Sequence, residues 1–122
     1  VILADTSVWI DHLRKGDAVL DGLLNNGQVL THPFVIGELA LGVLRQRKIV
    51  MNALQNLPQA TIATNDEVLG MIDSWGLHGD GIGYVDAHLL AAVALTPGTV
   101  LWTHDKRLRT TAERLRFDAG LN

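Results

Sequence analysis

Four acidic residues of this chain each stand alone in an apolar stretch. Asp5 closes the run Val1-Ile2-Leu3-Ala4, and Asp105 follows Val100-Leu101-Trp102-Thr103-His104. Glu38 is the only charged residue between Pro33 and Leu44, and Asp86 is the only Asp, Glu, Lys or Arg between Gly81 and His104. A buried, unpaired carboxylate is costly and would sooner take up a proton. No neighbouring Lys or Arg in sequence offers to neutralise Glu38 or Asp86. Gathered in one pocket, four such groups would raise one another's pKa unless cations sat among them. Two divalent ions would balance their charge, and hard carboxylate oxygens select Mg2+ or Mn2+ over zinc. Two such ions, about 3.5 to 4 Å apart, activate water and stabilise the leaving oxygen of a phosphodiester. That is hydrolytic phosphodiester chemistry with no serine, cysteine or histidine nucleophile.

Plainer readings compete with this one. Asp5, Asp86 and Asp105 each precede or begin a helix and are natural caps. Glu38 sits inside a helix, with Phe34 and Leu41 near its face, and a surface glutamate can snorkel out from such a position.

The elements that must position these acids alternate along the chain. Val1–Ala4 reads as a buried strand. Asp5-Thr6-Ser7 caps a helix from Val8 to about Arg14, stopped by Gly16; a second runs from Ala18 to Asn25. Gln28–Thr31 is a short strand. Pro33 opens a helix to about Arg47, another covers Ile49–Leu57, and Ala60–Ala63 is a weak third strand. Thr64 or Asn65 caps a helix through Trp75. Gly76–Gly83, with four glycines, is a loop. A helix follows to Leu95, then a strand over Thr99–Thr103, a helix over Lys106–Leu115 and a last edge strand over Phe117–Leu121. The alternation predicts an α/β fold, a three-layer α/β/α sandwich around a central parallel sheet, in one domain spanning 1–122. Sites in such sheets lie at the carboxyl ends of strands, where Asp5 and Asp105 stand.

Composition narrows the class. The 122 residues are 48% hydrophobic and 19% charged, which argues against disorder. The absence of cysteine excludes disulfides, thiolate metal sites and a cysteine nucleophile, and fits a reducing compartment. The longest apolar run, Leu89–Leu95, is far short of the ~20 residues of a membrane span. The start shows no basic leader, so a cytoplasmic protein is expected, its initiator Met removed or left outside the numbering. The net charge of -3 does not advertise a nucleic-acid binder. The basic residues nevertheless cluster: Arg14 and Lys15; Arg45, Arg47 and Lys48; and Lys106, Arg107, Arg109, Arg114 and Arg116. They are either solvated helix faces or a basic rim around an acidic centre, able to hold a phosphate backbone. In the second case Arg45, Lys106, Arg107 and Arg109 are the candidate phosphate contacts. The six aromatic residues are too few for a stacking platform, so nucleic acid would be held through its backbone. The surplus of apolar side chains in Val8–Leu13 and Val35–Leu44 predicts cover by a second copy and by a partner peptide.

Several familiar sites are missing. The glycines near Gly81 fail the dinucleotide pattern, there is no P-loop, and neither Ser7 nor Ser74 sits in a nucleophile elbow. The five histidines lack paired metal spacing.

Asp5-Thr6-Ser7-Val8-Trp9-Ile10, Glu38 in a helix, Tyr84-Val85-Asp86-Ala87-His88-Leu89-Leu90-Ala91 and Leu101-Trp102-Thr103-His104-Asp105-Lys106-Arg107-Leu108 together resemble the PIN domain, and more narrowly the VapC toxins of VapBC modules. The resemblance covers essentially the whole chain. It implies a Mg2+- or Mn2+-dependent endoribonuclease acting on single-stranded or looped RNA. Asp5, Glu38, Asp86 and Asp105 would be its catalytic and metal-binding quartet, Asp5 and Asp86 foremost for metal. Thr6, Ser7 and Thr103 would hold a water or an acid in place, although Thr6 and Ser7 also suit helix capping. It further implies a homodimer neutralised by a VapB-type antitoxin lying near the site. Asp80 is expected to be a solvent-exposed loop acid, and His104 a neutral surface histidine. A receiver-like phosphoacceptor module and a catalytically silent interaction module are the alternatives.

Overall fold

The structure is a computed structural model, and it describes residues 1–121. Its elements are β1 (Ile2–Ala4), α1 (Thr6–Lys15), α2 (Ala18–Asn25), β2 (Val29–Leu30), α3 (Pro33–Leu41), α4 (Arg47–Gln55), α5 (Asn65–Trp75), α6 (Tyr84–Leu95), β3 (Val100–Trp102) and α7 (Lys106–Leu115). The strands form one parallel sheet in the order β2-β1-β3. Ile2 stands opposite Val29 on one side and Val100 on the other. All of β1 is buried, so helices cover both sheet faces and the expected three layers are present. The apolar run noted in the sequence lies in α6, buried all round from Ala87 to Val93, as a helix without a polar face must be.

Two expected strands do not form. Residues 60–63 contribute no bridge, the nearest being that of Gln59 with Thr31 just before them, and residues 117–121 contribute only one, between Asp118 and Leu101. The first segment peels away because the Thr61 N–H bonds the Thr96 side chain at 2.8 Å. The second turns where the Gly120 N–H donates to the Asp118 carboxylate at 3.0 Å. The helix from Pro33 also ends early, at Leu41. Gly42 is extended there, and the Arg47 guanidinium donates to the Ala40 and Gly42 carbonyls at 2.6 and 3.3 Å, closing the helix end from outside. α4 accordingly begins at Arg47 and leaves residues 42–46 as an exposed connection.

His32, fully buried, caps α3 by accepting the Phe34 N–H on Nδ1 at 3.0 Å, and its ring lies 6.3 Å from that of His88. Burial, and then the His88 charge, push its pKa from 6.5 down to about 4. The folded form resists a proton that the unfolded chain accepts. The stability this neutral ring gives is complete above pH 6.5 and is lost as pH falls toward about 4. His32→Asn keeps a cap acceptor and should flatten the dependence of the urea midpoint on pH in that window; an unchanged slope would refute the assignment.

Candidate active site

After β1 the chain moves outward to β2, then returns across β1 to add β3 on the far side. Ligand sites form where strand order reverses in this way. Asp5 and Asp105, one following β1 and the other β3, flank that point.

Asp5 is only 5% exposed. Its Oδ1 accepts the Ser7 N–H at 3.0 Å, the Ser7 hydroxyl at 2.5 Å and the Val8 N–H at 3.4 Å, capping α1. Its Oδ2 accepts the Thr103 hydroxyl at 2.6 Å. Thr103 Oγ1 in turn accepts the Asp105 N–H at 3.0 Å, and Ser7 Oγ accepts the His104 N–H at 2.9 Å. Two hydroxyls therefore stitch the ends of β1 and β3 together. Thr6 turns the other way and donates to Glu38 Oε1 at 2.5 Å, fixing the one α3 acid against α1.

Asp105 caps α7 by accepting the Leu108 N–H at 3.0 Å, and Asp86, in the first turn of α6, accepts the Gly83 N–H at 3.2 Å. All three aspartates thus cap helices. The cap occupies one oxygen of Asp86 and one of Asp105, and among the described residues the other oxygen of each takes no protein hydrogen bond.

The electrostatics tie the four acids together. Burial raises the Asp86 pKa most, the Gly83 N–H opposes it, and the negative charges of Asp5, Asp105 and Glu38 each raise it further. Burial also raises Asp5, against the pull of the Ser7 and Thr103 hydroxyls and the Val8 and Ser7 N–H groups. As the side chains stand, no three Asp, Glu or His residues among the described residues close tightly enough to enclose a metal ion. A Mg2+-like ion does not ask for that, because it keeps several waters and binds through one or two carboxylates plus substrate phosphates. The donors fit: all are hard oxygens, and the acids act on one another through unneutralised charge.

The basic candidates separate. Arg45, Lys106 and Arg107 are exposed, whereas Arg109 is half-buried and donates to the Thr103 carbonyl at 3.4 Å, which makes it a strut under the site. Asp80 is not the free loop acid expected. Arg114 and Thr111 of α7 bond its Oδ2 at 2.8 and 3.1 Å, so it pins the glycine-rich loop. His104 is not a free surface residue either, since its Nδ1 lies 2.6 Å from Asp11 Oδ2. No linear signal connects Asp11 with His104; only the β1–β3 pairing brings them together.

The chain belongs to the PIN-domain family, whose pattern it matches over residues 2–114. Within that family it is similar to Ribonuclease VapC32 of Mycobacterium tuberculosis, in both strain CDC 1551 / Oshkosh and strain H37Rv. Identity to each is 52% over 109 residues, covering 89% of this chain and 88% of the relative. The similarity makes it a VapC-type PIN ribonuclease.

Proposed function

We propose that the chain is the endoribonuclease toxin of a VapBC module, hydrolysing RNA phosphodiester bonds with Mg2+ or Mn2+ at Asp5, Glu38, Asp86 and Asp105. The observation that carries this reading is the Thr103 hydroxyl that links Asp5, after β1, to the backbone of Asp105, after β3, in a chain of the PIN-domain family. When bound, the cation would screen the phosphate and make a water more acidic. Asp5 and Asp86 would hold it, with Asp105 completing the ring. Ser7 and Thr103 keep Asp5 aimed by occupying the lone pairs that face the protein. Glu38, exposed and held at Oε1 by Thr6, can take the proton of the attacking water on Oε2. Arg45, Lys106 and Arg107 would hold flanking phosphates.

The partner reading rests on the face beside Glu38. Ile10, Leu41 and Val43 are 45%, 90% and 103% exposed. A groove of about 760 Å3 runs between α1, α3 and the start of α4, with Glu38 and Arg45 among its lining residues. A VapB-type antitoxin segment would cover this groove, and a second copy of the chain another part of the apolar surface. Among the described residues no helix is long and apolar enough to cross a membrane. A cytoplasmic setting agrees with the lack of cysteine.

Cation dependence is the direct test. With no cation present, the raised pKa values of Asp5 and Asp86 mean that their stabilising contribution exists below pH 3.8 and is lost as pH rises through their folded values. At neutral pH the charged cluster therefore opposes folding, and a bound cation relieves it. Mn2+ at a hundred times its dissociation constant should stabilise the chain by about 2.7 kcal/mol, seen as a rise in Tm, and should switch on cleavage of labelled RNA that EDTA abolishes. Cleavage indifferent to the chelator would rule out this mechanism.

A further inference from the structure

We propose that the open cavity beside Asp86 is a subsite for one unstacked RNA base, with Tyr84 as its stacking residue and Arg107 as a phosphate contact at its edge. This inference rests on the ribonuclease reading. The cavity, about 240 Å3, lies between the glycine-rich loop and the adjoining turns of α5 and α6, lined by Ile72, Leu77, His78, Ile82, Gly83 and Tyr84 among others. That is below the ~300 Å3 at which pockets begin to enclose whole drug-sized ligands, and it suits a single flat heterocycle. Its walls are apolar and aromatic, with one imidazole to meet a base edge.

The cavity adjoins the acidic ring through Gly83. This wall residue donates the N–H that Asp86 accepts at 3.2 Å, and a Cβ placed on it would stand 4.0 Å from Asp86 Oδ2. A base seated there leaves its own phosphate beside the carboxylates. Tyr84 is 43% exposed yet held at both ends. Its ring meets His88 edge-on at 4.8 Å, and its hydroxyl donates to the Asn65 side chain. A ring fixed in orientation but open to solvent is a preorganised stacking surface.

Arg107 supplies the charge. Its side chain crosses Gly81, another lining residue, so closely that a Cβ at Gly81 would stand 3.0 Å from its Cδ. Gly81 also has a φ of +75°, so another residue there would be strained. Arg107 is exposed and has no carboxylate partner among the described residues. Six aromatics could not form a platform along a strand, but one ring beside the scissile bond can hold one base.

The test uses the full chain with Mn2+ and a short single-stranded RNA whose cut site has been mapped, together with copies carrying one abasic nucleotide each. Removing the base at one position flanking the cut should slow cleavage at least about tenfold. Tyr84→Leu should slow cleavage of the parent RNA similarly, add nothing on the abasic RNA, and be rescued by Tyr84→Phe. Arg107→Gln should lower the salt dependence of RNA binding by about 0.7 in log–log slope. If every abasic RNA is cut like the parent, or Tyr84→Leu cuts like the wild type, the subsite is overturned while the nuclease stands. Should the wild type cut no RNA with any cation, both readings fall. The abasic series needs no variant to fold.

Discussion

Asp5→Asn should abolish RNA cleavage, by at least about a thousandfold, while leaving the chain folded. The amide has the shape of the carboxylate. Its oxygen can keep the caps from Ser7 and Val8, and its nitrogen can donate to Thr103 Oγ1, whose own hydrogen then turns away. What disappears is the negative charge. Because burial already disfavours that charge, stability without cation should change by no more than about 1 kcal/mol. The gain in Tm on adding Mn2+ should vanish as well. Cleavage assays paired with urea titrations separate the outcomes. A variant that unfolds would show Asp5 to be a cap and nothing more; one that cleaves normally would place the chemistry elsewhere.

Thr103→Val should cost the most stability for the fewest atoms changed. The threonine is fully buried, donates to Asp5 and accepts the Asp105 N–H. Valine fills the same space and leaves a carboxylate oxygen and an N–H without partners. Two such losses cost about 2–4 kcal/mol, a fall in Tm on the order of 10 °C for a chain of this size. Activity should drop about 10- to 100-fold as Asp5 and Asp105 lose their common anchor. Thr103→Ser, which keeps the hydroxyl, should lose about 1 kcal/mol and retain most cleavage. A valine variant as stable as the wild type would show that the hydroxyl bridge is incidental.

The acids were legible in the sequence because each is a charge alone in an apolar stretch, and the layers because strand-like and helix-like runs alternate. The outer strands were not, because patterning cannot say whether a short apolar run finds an edge to pair with. Thr61 and Asp118 settle that through side-chain bonds to distant or local partners. The early end of α3 was hidden for a related reason: the local stop signal, Gly42, stands inside a continuing apolar run, and the side chain that closes the end, Arg47, comes from the next helix. Capping and chemistry looked like rival explanations of the aspartates, yet a carboxylate has two oxygens, and Asp86 and Asp105 each give one to the backbone. The partners of Asp80 and His104 come from remote segments, so spacing alone could not reveal them.

The Thr103–Asp5 bond joins positions 98 apart, and the His104–Ser7 bond positions 97 apart. The central strand, β1, is made well before β3, which completes the sheet beside it. A ribosome must therefore thread everything that lies between them before the two halves of the acidic centre can meet. A nascent chain that has not yet reached β3 carries Asp5, Glu38 and Asp86 without the hydroxyl bridge that aims Asp5.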